Sequence, residues 1–258
     1  MTPPPEREKR PTDLPVGSFF IIGIIMQFKQ ELQRGVLVRR YKRFLADIEL
    51  GNGEILTVHC PNSGSMLGCS EPGSPVMISR SDNPSRKYPH TLEMVQADSV
   101  WVGVNTSLTN KLVREALENG TIKEFGSLEA ISQEIKTSDN TRLDFLLEQQ
   151  GRKIFMEAKN CSLAENRAAM FPDAITVRGT KHLQELASLK RQGNMAAVFF
   201  CVQRGDTDYF RPAHHIDPVY AETLAKVAAE GVMVLAYRAA VSPKGITIAR
   251  KLPVKLTS

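Results

Sequence analysis

Asp144, Glu157 and Lys159 are the side chains whose types and spacing could do chemistry together. The segment 142–147 alternates polar and apolar residues as a strand does. Segment 153–159 follows as a second strand, and Gln150 and Gly151 supply a turn between them. A hairpin on that turn sets Asp144 directly opposite Glu157, with Cβ atoms roughly 5 Å apart. Lys159 shares their face because strand side chains alternate with period two. Opposed carboxylates repel unless a proton or a divalent cation lies between them. Hard oxygen ligands suit Mg2+ or Mn2+, and a lysine beside such an ion can orient an attacking water or stabilise a developing phosphoryl charge. The alternative is a solvated edge hairpin on which Lys159 merely neutralises a carboxylate. Phe145, Leu147, Ile154, Phe155 and Met156 argue for a hairpin inside a sheet, where unpartnered carboxylates are costly.

Other residues suggest how a polyanion would be held. Arg39, Arg40, Lys42 and Arg43 surround Tyr41. On a strand, Arg39, Tyr41 and Arg43 share a face, which places a stacking ring between two phosphate-binding guanidinium groups. A charged edge strand protected from aggregation is the competing reading. Arg86, Lys87, Tyr88 and His90 repeat the mixture of cations and a ring. Between Asp173 and Glu185, a polar helix face carries Arg178, Lys181 and His182. Arg178 or Lys181 would orient a phosphate, Thr176 would cap the helix or meet phosphate at its N-terminus, and His182 would serve as an acid or base or as a structural histidine. The turn 61–65 is a structured loop whose backbone N–H groups could face a phosphate, and it lacks the nucleophile-elbow spacing. His214 and His215 are adjacent, so on a strand they point to opposite sides and read as structural.

The elements that position these residues fall into two groups. From Phe28 to Asn105, short extended segments at 34–50, 54–60, 75–81 and 92–104 alternate with turn residues such as Gly51, Asn52 and Gly53, the pattern of a small antiparallel barrel of the OB type. Residues 107–119 read as an amphipathic helix ended by Asn119 and Gly120. Beyond it come a strand at 131–136, the Asp144 and Glu157 strands, a loop, a helix at 176–191, a strand at 196–203, a helix at 218–230 and a strand at 232–239, an α/β mixed sheet with flanking helices.

The order Asp144, Glu157, Ala158, Lys159 resembles the catalytic signature of the PD-(D/E)xK nuclease superfamily. Four further segments, 40–47, 59–66, 86–91 and 171–183, resemble the bacterial sugar fermentation stimulation protein A family, and the likeness runs from about Met26 to the C-terminus. The resemblance implies an N-terminal OB-like barrel over 26–105, a PD-(D/E)xK nuclease-like domain over 106–258, and DNA binding, with RNA not excluded. It also implies a metal site completed by the Ala158 carbonyl and a further acid from the helix before the sheet, Glu115, with Glu118 and Glu134 behind it. On this basis the expected activity is metal-dependent phosphodiester hydrolysis with weak sequence selectivity. The rival is a non-catalytic DNA-binding regulator of sugar metabolism.

Composition agrees with this frame. The 258 residues are 42% hydrophobic, enough for two cored domains, and the net charge of +5 favours polyanionic partners. Four cysteines without a zinc cadence or paired spacing suggest reduced cytoplasmic thiols, and neither a Walker A loop nor a dinucleotide fingerprint is present. Residues 1–25 form a Pro-rich charged segment and an apolar run too short to span a membrane. They read as a variable extension or the product of an upstream start codon.

Overall fold

The computed structural model describes residues 26–138 and 141–256. The extension expected at 1–25 lies outside the described residues. In the first half, β1 (Met26–Gln27) is followed by β2 (Gln33–Tyr41), β3 (Leu45–Leu50), β4 (Ile55–His59), β5 (Pro75–Arg80), β6 (His90–Ala97) and β7 (Val100–Gly103). Strands β2 to β7 form one antiparallel sheet in the order β4-β3-β2-β5-β6-β7. A parallel contact between His59 and Thr91 joins β4 to β6 and closes five of the strands into a barrel. Its inside is a compact apolar set that includes Leu37, Ile48, Val58, Ile78, Leu92 and Val102. The strands expected from the alternation are present. However, β1 pairs with the other domain, so the expected grouping of residue 26 with the barrel is corrected: Met26 stands against Ile246 in the second sheet.

The second half contains α1 (Thr109–Glu118), β8 (Ala130–Ser138), β9 (Thr141–Gln149), β10 (Arg152–Cys161), β11 (Leu163–Glu165), β12 (Ala168–Phe171), α2 (Val177–Arg191), β13 (Met195–Val202), β14 (Tyr209–Pro212), α3 (Pro218–Ala229), β15 (Met233–Ser242) and β16 (Gly245–Lys251). The main sheet runs β1-β16-β15-β13-β10-β9-β8, with β10, β13 and β15 mutually parallel. Alternation along β10 and β13 feeds two cores. Ile154, Met156, Phe199 and Cys201 pack with Leu112, Val113 and Ala116 of α1, whereas Phe155, Val198 and Phe200 pack with Leu183 and Leu186 of α2 and Leu224 of α3. Odd-numbered positions of β10 therefore face α2, which sends Glu157 and Lys159 toward His182. The segment expected to be a loop before α2 instead carries β11 and β12, which join β14 in a small third sheet.

The two domains are fastened through polar contacts centred on a buried arginine. Arg204, almost fully buried, donates to Asp98 of the barrel at 3.0 Å, to Asp206 at 2.6 Å and to the Ser162 carbonyl at 2.9 Å. The Gly103 N–H donates to the Gln203 carbonyl at 2.8 Å. At that approach a Cβ on Gly103 would lie 2.2 Å from the Gln203 side-chain oxygen, so the junction requires glycine.

Candidate metal-dependent active site

The β9–β10 hairpin has the register read from the turn, with Gln149 opposite Arg152 and Phe145 opposite Met156. The ladder stops there. In place of the next backbone rung, Asp144 turns its carboxylate across the gap and accepts the Ala158 N–H at 2.8 Å. The break coincides with Glu134 on β8, whose backbone is left-handed at φ 57° and which lies between the rungs Gln133–Phe145 and Ile135–Leu143. Asp144 also accepts a hydrogen bond from the Asn110 amide at 2.9 Å, so the first turn of α1 fixes its second oxygen.

Glu157 is 4% exposed. Its Oε1 accepts from Lys159 Nζ at 2.7 Å and contacts His182 Nδ1. Its Oε2 is buried and has no hydrogen-bond partner among the described residues. Lys159 Nζ lies 3.3 Å from His182 Nδ1, and Arg178 Nε donates to His182 Nε2 at 3.4 Å, so the basic groups form a chain leading out from Glu157. Burial and the facing Glu157 carboxylate push the Asp144 carboxyl up to about 6. Burial acts on Glu157 in the same direction, but the His182 hydrogen bond and the Lys159 charge outweigh it and hold that carboxyl below its ordinary value. Asp144 is therefore the member of the pair that takes a proton first as pH falls.

These residues line a cleft of about 610 Å³ whose opposite wall comes from the barrel, through Arg43, Asn62, Ser63 and Gly64. Asp173 ties the wall down: its carboxylate accepts the Met66 N–H at 2.8 Å, and Ser65 Oγ donates to its carbonyl. A Cβ on Gly64 would stand 2.8 Å from Asp173 Oδ1, so this loop too approaches closely only because it is glycine.

The structure brings Asp144, Glu157, Ala158, Lys159, Arg43, Arg178 and His182 to the same cleft. It does not bring Glu115. Five residues along a helix from Asn110, Glu115 points to another side, where burial raises its carboxyl and the Met26 backbone is its hydrogen-bonding neighbour. Glu134, by contrast, lines the cleft and is exposed to it. The basic–aromatic strand is corrected in part. Arg39 sits 4.9 Å from the Tyr41 ring centre, as a stacked pair should, but it donates to Asp47 at 2.8 Å, and Tyr41 Oη donates to the same carboxylate at 3.0 Å.

Arg40, half-buried, gives hydrogen bonds to the carbonyls of Arg43, Asn62, Gly64 and Ser65, so its guanidinium braces the loop. Lys42 and Arg43 occupy the hairpin turn at φ 50° and 65°, which removes Arg43 from the strand face and hands it to the cleft. Arg86 and Lys87 lie in the β5–β6 connection, Lys87 over Tyr88, and are not among the described residues that line the cleft. Lys181 faces a neighbouring groove. His214 and His215 lie in the turn after β14 and not on a strand, and they approach different acids, Glu222 and Glu165. Among the described residues, no three His, Cys, Asp or Glu side chains are gathered as a ready-made metal cage. The four cysteines are free and buried, and no described helix is long and apolar enough to cross a membrane.

Fold and site together define a two-domain architecture, an OB barrel joined to an α/β sheet of the PD-(D/E)xK nuclease-like type. The models of the SfsA N-terminal OB domain and of the sugar fermentation stimulation protein RE domain match residues 38–104 and 107–245. The chain belongs to the sugar fermentation stimulation protein family. It is 53% identical to the homolog from Desulfotalea psychrophila, over 90% of this chain and 95% of the relative, and 52% identical to that from Geotalea uraniireducens, over 90% and 100%. The solved structure of Pyrococcus furiosus SfsA in complex with Ca2+ is 25% identical and superposes with a TM-score of 0.83, covering 90% of this chain and 98% of that one.

Proposed function

We propose that the protein is a divalent-metal-dependent phosphodiesterase that acts on DNA with weak sequence selectivity. The observation that carries this reading is the orphaned, buried Oε2 of Glu157 beside a carboxylate whose proton affinity is already raised. A buried acceptor without a donor is costly, and a cation satisfies it while relieving the repulsion from Asp144. Asp144, Glu157 and the Ala158 carbonyl would hold Mg2+ or Mn2+, an ion that keeps several waters and takes only one or two carboxylates. The Pyrococcus furiosus relative was solved in complex with Ca2+, which agrees with a hard-cation site. When bound, the ion supplies Lewis acidity at the phosphate and a more acidic water.

The chain's own residues do the rest. Asn110 and the Ala158 N–H hold Asp144 in one orientation. His182 holds Glu157 by its Oε1 and leaves Oε2 for the ion. Lys159, whose ammonium pairs with Glu157 Oε1 at 2.7 Å, would be free to position a water or a phosphoryl oxygen once a bound cation neutralised that carboxylate. Arg43 and Arg178 flank the cleft and attract the backbone phosphates. The barrel provides the opposite wall, and the net charge of +5 draws the polyanion in.

A second reading, a DNA-binding regulator without catalysis, is favoured by the satisfaction of Asp144 by protein donors and by the absence, among the described residues, of three His, Cys, Asp or Glu side chains gathered as a ready-made cage. Labelled single- and double-stranded DNA and RNA incubated with and without Mg2+ separate the two. The catalytic reading expects metal-dependent cleavage that Asp144→Ala and Glu157→Ala abolish with binding intact. Binding without cleavage by wild type would leave the regulator.

A further inference from the structure

Helix α2 begins on an unusually firm mount. Thr176 caps it by accepting the Gly179 N–H at 3.1 Å, while its own N–H donates to Asp217 at 2.8 Å. Behind it, a Cβ on Gly179 would meet the Thr176 side chain at 2.8 Å and the Tyr220 ring at 3.1 Å. On either side of this fixed threonine stand Ile175 and Val177, 76% and 67% exposed, the two most exposed large apolar side chains of the described residues. Ile175 borders the Asp144–Glu157 cleft. Val177 borders a second groove of about 830 Å³, lined also by Lys136, Arg142, Arg178 and Lys181 and, among the described residues, by no acid. Arg178 and His182 line both spaces, so the two are neighbours divided only by the start of α2. Arg142 on β9, cross-strand from Lys136 on β8, stands at the far side of the groove.

An apolar ridge between a cleft that carries both the paired carboxylates and Arg43, Lys159 and Arg178, and a groove lined by cations, matches the chemistry of nucleic acid, whose bases are apolar on their faces and whose strands are charged outside. Resting on the nucleic-acid reading of the cleft, we infer that Ile175 and Val177 form a wedge that enters the base stack and parts a duplex at a fork or frayed end. One strand passes into the Asp144–Glu157 cleft, and the other runs along Arg142, Arg178 and Lys181. Aliphatic side chains driven between base steps unstack them in this way, and the cost of unstacking is offset by phosphate contacts on the separated strands. The preferred substrate class is thus a duplex with a single-stranded arm.

The test uses the full-length protein in EDTA with a forked DNA duplex that carries 2-aminopurine at the junction. Wild type should bind and raise the 2-aminopurine fluorescence. Ile175→Ser with Val177→Ser, both at exposed positions, should lower that rise by roughly half or more, since the apolar insertion is what unstacks the base. Its affinity for single-stranded DNA should stay near that of wild type. Arg142→Ala with Lys181→Ala should weaken fork binding about tenfold relative to single-strand binding, the scale for two lost phosphate contacts. Binding by wild type without a fluorescence rise, or a serine variant that unstacks as well as wild type, overturns the wedge. Cleavage in Mg2+ without unstacking removes the wedge alone, unstacking without cleavage of any nucleic acid removes catalysis alone, and failure to bind any nucleic acid removes both.

Discussion

Replacing Asp144 with asparagine should make the metal-free protein more stable, although the residue lies at the centre of the site. The Asp144 carboxyl rises from 3.8 to about 6 because it is buried against Glu157. At 1.36 kcal/mol per unit this repulsion and desolvation amount to a ceiling of about 3 kcal/mol once the group is ionised. Solvent at the cleft mouth screens part of it, so the realised gain is about 1–2 kcal/mol. The asparagine carbonyl still accepts the Ala158 N–H, while its NH2 takes the place of the oxygen that accepted from Asn110, whose amide turns over to present its own oxygen. A raised carboxyl means that the folded state binds more protons than the unfolded one between the two values. The stabilising contribution of the protonated form is complete below about 3.8 and is lost as pH rises through about 6. The advantage of Asp144→Asn should therefore be largest at neutral pH, fall to about half at pH 5 and nearly vanish by pH 4. In thermal unfolding without metal at pH 7.5, the variant should melt about 2–8 °C above wild type, at 2–4 °C per kcal/mol for a chain of this size. Divalent cation should reverse the order, since wild type gains about 2.7 kcal/mol at a hundredfold excess over Kd while the variant gains far less. A variant less stable than wild type without metal, or stabilised equally by it, would refute the reasoning.

Gly64→Ala places a methyl 2.8 Å from the Asp173 carboxylate and should cost roughly 1–3 kcal/mol in urea unfolding, with cleavage slowed because the barrel wall of the cleft shifts. Arg204→Met removes the buried cation that joins Asp98, Asp206 and the Ser162 carbonyl. It should destabilise by about 3 kcal/mol, the lower end for a broken buried pair because Asp98 itself is solvated, as denaturant titration would register. Arg43→Ala combined with Arg178→Ala should flatten the salt dependence of DNA affinity by about one unit per lost phosphate contact, whereas Arg39→Ala should flatten it less because Asp47 already neutralises that guanidinium. An equal change in all three would show that the cleft does not hold the backbone.

Much of this arrangement is legible in the sequence because it rests on period-two alternation and short turns. The hairpin register follows from Gln150 and Gly151, and the apolar stripe of α1 and the barrel strands follow from spacing alone. What escapes depends on non-local geometry. Nothing in the β9 sequence announces that the ladder ends before Asp144, and the left-handed residue beside the break, Glu134, lies on another strand. Glu115 is expected at the site from sequence because helix position cannot be read without the helix rotation, and that rotation presents Asn110 instead. Arg40 reads as a cation for phosphate because its carbonyl partners at 62–65 come from a loop more than twenty residues away. Asp173, which ties the two domains together across the cleft, carries no local signal beyond its place before α2. Strand β16 is within reach, because Ile246 and Ile248 alternate with polar residues.

Lys159 decides between catalysis and binding alone. Its ammonium lies 2.7 Å from Glu157 Oε1 in a site where a cation would displace it, so its role belongs to the transition state and not to the bound ground state. The measurement is single-turnover cleavage of labelled DNA in Mg2+ by wild type and Lys159→Ala, with DNA affinity determined in parallel. The expected result is a rate lowered about a hundredfold or more with affinity nearly unchanged. Weakened binding in the variant, with no metal-dependent cleavage by wild type, would contradict it.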